Sequence, residues 1–170
     1  MKAVKASAIA LALAGVLATS ACAGTTSAET AAVVEGRVIT EQQVREATDQ
    51  INTAFTPDQP LTAAQTLTLL IRAPYINEAA AAAGKAQSES AARAALVDFP
   101  EEPLDTTIEI LQAEASLQQL ESAPEDRQAL VDRIAGLDVT VSPRYGTFDP
   151  ARAEIVVARP NWITSATDEN

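Results

Sequence analysis

From Val33 onward, short runs of strand-type residues alternate with longer stretches whose apolar positions recur every three or four residues. The first run, Val33-Val34, is followed by Glu35-Gly36 and then by Arg37-Val38-Ile39, the pattern of a β-hairpin with a two-residue turn. Gly36 supplies the positive φ that such a turn needs, whereas Glu35 is a poorer choice there than Asn or Asp. A hairpin this short is marginal alone, so a further strand is expected to join it. Thr40-Glu41-Gln42-Gln43 fits a capping box that opens a first helix, with Val44, Ala47, Ile51 and Phe55 along its inner face.

"TPDQP" breaks that helix, and Thr62-Ala63-Ala64-Gln65 repeats the capping pattern. The second helix runs through Leu67, Leu70 and Ile71 to a stop near Gly84, with Pro74 expected to kink it near Ile71. Ser88 starts a short helix, "SESAARAALVD", which "FPEEP" ends. Asp105 or Thr106 begins a fourth, with Ile108, Leu111, Ala115 and Leu120 inward. Pro124 with Glu125 and Asp126 opens a fifth, closed by Gly136: proline lacks the donor that a first helical turn leaves unused, and acids suit the positive end. Val139 and Val141 alternate as in a strand with one buried face, and "AEIVVA" is a second strand candidate. The order predicts a mainly α, α+β fold of about five helices, with a small sheet made by the N-terminal hairpin and C-terminal strand or strands. The hairpin is then a clasp tying the start of the domain to its end.

The chain ahead of the hairpin has a different character. Lys2 and Lys5 precede an apolar run, Ala6 to Ala18, and a small-residue stretch that ends at Cys22. This is the layout of a secretory signal peptide over residues 1–21, and the run is shorter than the roughly 20 apolar residues a membrane span needs. The stretch Thr19-Ser20-Ala21-Cys22 resembles the lipobox of bacterial lipoproteins, where the Cys thiol is joined to a diacylglycerol and becomes the first residue after cleavage. That resemblance implies a chain held by its acyl groups on the extracytoplasmic face of a membrane, at about 0.8 kcal/mol per buried CH₂. Ala21-Cys22-Ala23 also reads as an A-x-A cleavage site, which would release a soluble secreted protein. Residues 22–32 read as the modified Cys and a tether, 33–158 as the domain and 159–170 as a polar tail.

Composition narrows the chemistry. With 23 acidic and 12 basic residues the net charge is −11, and loss of Lys2 and Lys5 with the signal segment takes it to −13. Such a polyanion disfavours nucleic acid and anionic surfaces, both of which depend on Lys/Arg clusters. Three Phe, two Tyr and one Trp leave the core to be built from Leu, Ile, Val and Ala. There is no histidine, which removes the usual base of nucleophilic catalysis and the commonest metal ligand. The six glycines are too widely separated for a phosphate loop. Glu101-Glu102 and Asp168-Glu169 are the acidic pairs, expected as solvated loop and tail residues rather than a glycosidase pair. No catalytic residue, metal site or cofactor is expected, so the chain reads as a non-enzyme.

Taken together, "VVEGRVITEQQV", "LTAAQTLTLLIRAPYINEAAAAAG" and "SESAARAAL" resemble the N-terminal domain of the SurA and PrsA class of envelope chaperones, over Ala32 to about Leu120. Relatives open with a Val-rich strand, an Asn-Gly turn and a V-I-T stretch that caps the first helix; here Glu35 stands in place of the Asn. Full-length members also carry parvulin prolyl-isomerase domains that depend on histidines, so isomerase activity is not carried over. The resemblance implies a helical module that holds extended segments of unfolded, newly exported polypeptides, with Phe55, Tyr75, Phe99, Tyr145 and Phe148 as candidate contact residues. A structural or adaptor lipoprotein that docks one folded partner through the same fold is the alternative. Core packing competes with the contact role at Phe55, Tyr75 and Phe99, and a strand-locking turn competes with it at Arg144–Phe148. If Cys22 carries the anchor, Cys22→Ser moves the protein from the membrane fraction to the soluble one; anchoring that survives the substitution removes the lipoprotein reading.

Overall fold

The hairpin turn shows how the domain is closed. The computed structural model describes residues 29–157, so the signal segment, Cys22, most of the tether and the polar tail lie outside the described residues. Strands β1 (Thr30–Val34) and β2 (Arg37–Thr40) pair antiparallel, with Glu35 at φ 50° and Gly36 at φ 82° between them. Both central residues thus adopt the left-handed conformation that a tight hairpin of this kind requires. Glu35 does more there than form the turn. Its N–H donates to the Asp138 carbonyl and its carboxylate accepts from the Asp138 N–H, each at 2.9 Å. The turn is therefore stapled to the segment that leads into strand β3 (Val139–Val141).

β1 lies in the middle of the three-stranded sheet, in the order β2-β1-β3, with both neighbours antiparallel. Val33 faces Val38 on one side and Thr140 on the other. Ser142 N–H donates to the Ala31 carbonyl at 2.8 Å and extends the join by a residue. β1 begins at Thr30, so Ala31 and Ala32, expected in the tether, are strand residues and fully buried. The clasp between the two ends of the domain is present. Glu154–Val156 does not join it. As strand β5 it pairs with β4 (Thr147–Asp149) in a separate hairpin, so Thr147 and Phe148, expected in a turn, are strand residues. Gly146 permits this: its φ is +118°, and a Cβ there would run into the Val156 carbonyl.

Five helices separate the clasp strands: α1 (Glu41–Phe55), α2 (Ala63–Ala82), α3 (Glu89–Ala94), α4 (Asp105–Leu120) and α5 (Pro124–Ala135). Both capping boxes form, Thr40 with Gln43 and Thr62 with Gln65, so each helix starts where its local sequence specifies. α2 is the central helix, with Leu67, Leu70, Ile71, Ala73, Ile76 and Ala80 buried. It continues through Pro74 as a single helix. Proline has no N–H for the carbonyl four residues back, and that carbonyl, Leu70 O, is taken instead by the Arg37 guanidinium at 3.1 Å. The gap in the helix ladder thus becomes an attachment point for β2.

Three expected burials differ. Phe55 ends α1 and is 45% exposed, while Ala54 beside it packs on the satellite core. On α4, Leu111 and Ala115 are only half-buried, while Thr107, Ile110, Ala113 and Ser116 join Ile108 and Leu120 inside. α4 packs against both α2 and α3, so its buried surface is wider than one stripe. α3 ends at Ala94 rather than near Asp98 and covers a small satellite core of Ala92, Leu96 and Ile108. A buried amide ties this region to α1: the Gln50 side-chain oxygen accepts from Leu104 N–H at 3.0 Å and from the Thr107 hydroxyl at 2.7 Å.

Two stability predictions follow from these contacts. Arg37→Met leaves the Leu70 carbonyl unpaired and should destabilise the protein by about 1–3 kcal/mol in urea unfolding. In a Pro74→Ala background the restored helical N–H should remove most of that cost; equal costs in both backgrounds would show that Arg37 does not serve this carbonyl. Gly146→Ala should lower the melting temperature by several degrees, read by circular dichroism. An unchanged midpoint would mean that β4 and β5 separate without cost.

Candidate functional site

One open cleft with a mainly apolar lining is built by two helices that contribute matched stripes. On α2 and its C-cap, Tyr75, Glu78, Ala79, Ala82 and Ala83 recur at the spacing of one helix face, as do Asp126, Ala129, Leu130 and Arg133 on α5. Alanines on facing positions cannot fill the space between helix backbones, so a cleft of about 290 Å³ remains open. Leu130 closes its floor and belongs to the main core. Tyr75 forms one wall, with the Arg133 guanidinium 5.1 Å from its ring centroid, a cation–π contact between the helices. Glu78 and Asp126 place negative charge at the lip.

α5 is the lightly anchored side of this cleft: of its 12 residues only Leu130 and Ile134 are buried. α2, by contrast, buries residues along its whole length. The cleft therefore has one deeply packed wall and one that enters the core through two side chains, with the Arg133–Tyr75 contact beside them. Such an arrangement lets small helix displacements widen the opening at little cost in buried area.

The other sequence-derived candidates do not gather here. Phe99 lies in a separate cleft of about 450 Å³ between α1 and the 99–104 loop, where it packs beside the satellite core, with Glu46, Asp49, Glu101 and Glu102 around it. Phe55 lines neither cleft and is half-exposed. Tyr145 and Phe148 are half-buried against the main core. Arg144 beside Tyr145 reaches Glu41 at 2.6 Å, so this segment fastens the C-terminal part to the start of α1. Burial pushes the Tyr145 phenol above its ordinary value, and the Glu41 carboxylate pushes in the same direction. The five aromatics thus do not gather at one site: Tyr75 lines the α2–α5 cleft, Phe99 the cleft beside the 99–104 loop, and Tyr145 a third beside Glu41 and Arg45. Cys22 lies outside the described residues, as do Asp168 and Glu169.

Glu101 and Glu102 are exposed, as a solvated loop requires. Among the described residues no three carboxylates or cysteines gather as metal ligands, and no helix is long and apolar enough to cross a membrane. The alanine stripe of the cleft lies in the alanine-rich end of α2, and its role depends on α5 docking opposite it. Comparison with protein-family models, curated proteins and solved structures finds no match to this chain.

One carboxyl group has a distinct electrostatic setting. Glu109 on α4 is pushed above the usual carboxylate range, chiefly by desolvation, with the positive charge of Arg37 opposing part of the shift. The folded state thus holds this proton more tightly than the unfolded chain does. Stability from this group is present below the ordinary glutamate range and is lost as pH rises through the raised folded value. Glu109→Gln should accordingly stabilise the protein at pH 7 and have little effect near pH 4, where the unfolded carboxyl is also largely protonated. A gain of the same size at both pH values would assign the effect to packing instead.

Proposed function

We propose that this chain is an exported module, tethered to a membrane through Cys22, that holds extended segments of unfolded exported polypeptides and performs no chemistry on them. The observation that carries this reading is the open apolar cleft between α2 and α5, with Tyr75 as its wall and alanines along its length. An extended segment needs access for backbone as well as side chain, and a trough lined with small residues gives it that access. Tyr75 offers a flat face to an apolar or basic side chain at low entropic cost. Glu78 and Asp126 favour segments in which apolar residues alternate with Lys or Arg.

The mainly helical fold with its terminal clasp agrees with what the SurA-type resemblance implies, and supports the reading at the level of architecture. Net charge supports it too. A surface carrying an apolar trough stays dispersed when the molecule repels copies of itself, and 23 acidic against 12 basic residues supply that repulsion.

The test uses a chemically denatured, unrelated polypeptide diluted into buffer, with light scattering as the readout. The wild-type protein should slow its aggregation at stoichiometric concentration. Ala82→Gln combined with Ala129→Gln, both at exposed cleft positions, should abolish that effect while leaving the unfolding midpoint unchanged. Undiminished activity in the filled-cleft variant would overturn the assignment. Absence of activity in the wild type, with capture of one folded partner by crosslinking from position 82, would favour a docking lipoprotein instead.

A further inference from the structure

On the neighbouring face of α5 lies a second cleft of about 290 Å³, bordered by α2, the end of α4, α5 and the turn between β4 and β5. Its floor is apolar, formed by Leu117, Leu130 and Ile134. Its rim carries three arginines, Arg72, Arg127 and Arg152, with Glu121 as the one carboxylate among them. For a chain in which acids outnumber bases by 23 to 12, three arginines lining one cleft stand out.

The three guanidiniums differ in how they are satisfied. Arg152 faces Asp149 at 3.8 Å and Glu154 at 3.5 Å. Arg72 and Arg127 have no ion-pair partner among the described residues, and Glu121 is not paired with either. The Arg72 Nε is, moreover, buried without any hydrogen-bond acceptor. The guanidinium fork matches a carboxylate in geometry as well as charge.

We propose that this cleft binds a small carboxylate bearing one apolar side group, with its carboxylate held by Arg72 and Arg127 and its side group on Leu117, Leu130 and Ile134. The volume sets the size. At about 290 Å³ the cleft is at the lower edge of small-molecule sites, roughly 300–1,000 Å³, which suits a ligand of amino-acid size rather than a long acyl chain. Two sources share this chemistry: the last residue of a polypeptide ending in an apolar side chain, and a free acid of the same size. The site is independent of the Tyr75 cleft and stands whether or not that cleft holds polypeptides.

Calorimetric titration of the full chain tests the proposal with N-acetyl-leucine and N-acetyl-leucinamide, which differ only in the charged group. The acid should saturate, with the amide about tenfold weaker or more, the scale of one lost charge-assisted hydrogen bond. Arg127→Gln and Arg72→Gln should each weaken the acid by a similar factor and leave the amide unchanged. Arg93→Gln, at a distant arginine paired with Glu89 and Asp105, should bind as the wild type does. Circular dichroism confirms that each variant is folded, and the acid–amide comparison on the wild type needs no variant. Equal binding of acid and amide would overturn the proposal, as would no saturation by the acid or undiminished binding in both arginine variants. A pentapeptide ending in leucine, compared as acid and amide, identifies the source. Binding of the peptide acid supports the site with a chain terminus as its ligand, and binding of N-acetyl-leucine alone supports it with a free acid.

Discussion

The domain depends on one strand being covered from both sides. β1 pairs with β2 along one edge and with β3 along the other, so residues near the two ends of the domain meet within a single ladder. Ala31, Ala32 and Val34 are fully buried, and their small size lets helices approach closely over the sheet. Because buried backbone groups must be paired, neither edge of β1 can be left open without a cost of several hydrogen bonds. Glu35 and Arg37 reinforce the join from the hairpin. One seals the Asp138 backbone; the other takes the carbonyl that Pro74 leaves unpaired in α2. The proline, a weakness in a helix considered alone, is thereby part of the means by which sheet and helix are held in register.

This frame divides the molecule into a fixed part and a lightly held one. α2, α4 and the sheet share the main core, whereas α5 contributes Leu130 and Ile134 to it and little else. Both clefts that carry the functional proposals border α5, and Leu130 lines each of them. A helix that enters the core through two side chains is the least buried of the helices walling the two proposed sites. The two clefts differ in character: acids at the lip of one, arginines at the rim of the other.

What could be read in the sequence was what local chemistry determines. The positive φ required at Gly36, the two Thr-x-x-Gln capping boxes and the proline start of α5 each act over a few residues, and each element formed where they placed it. The clasp was also legible, because a hairpin so short needs another strand and Val139–Val141 was available. Other features depend on partners far along the chain. Glu35 looked like a poor turn residue until Asp138 came to meet it, and the carbonyl that Pro74 leaves free in α2 had no visible donor until Arg37 reached it. Phe55 fitted the inner stripe of α1 by spacing, yet at the last residue of the helix it stays half-exposed. The candidate aromatics were chosen by type, and tertiary packing sent four of the five elsewhere. The clefts beside α5 were not legible, because their linings alternate between helices that meet only after folding.

Hydrogen exchange of individual amides, with and without an excess of an unfolded exported polypeptide, tests the central claim most directly. Alone, the β1 amides and those in the middle of α2 should exchange only through global unfolding, and α5 should open at distinctly lower free energy. Added polypeptide should slow exchange in α5 and over residues 75–83 while leaving β1 unchanged. If α5 proved as well protected as β1, or if polypeptide left its exchange unaltered, the account of a clasped frame with a yielding, polypeptide-holding helix would be contradicted.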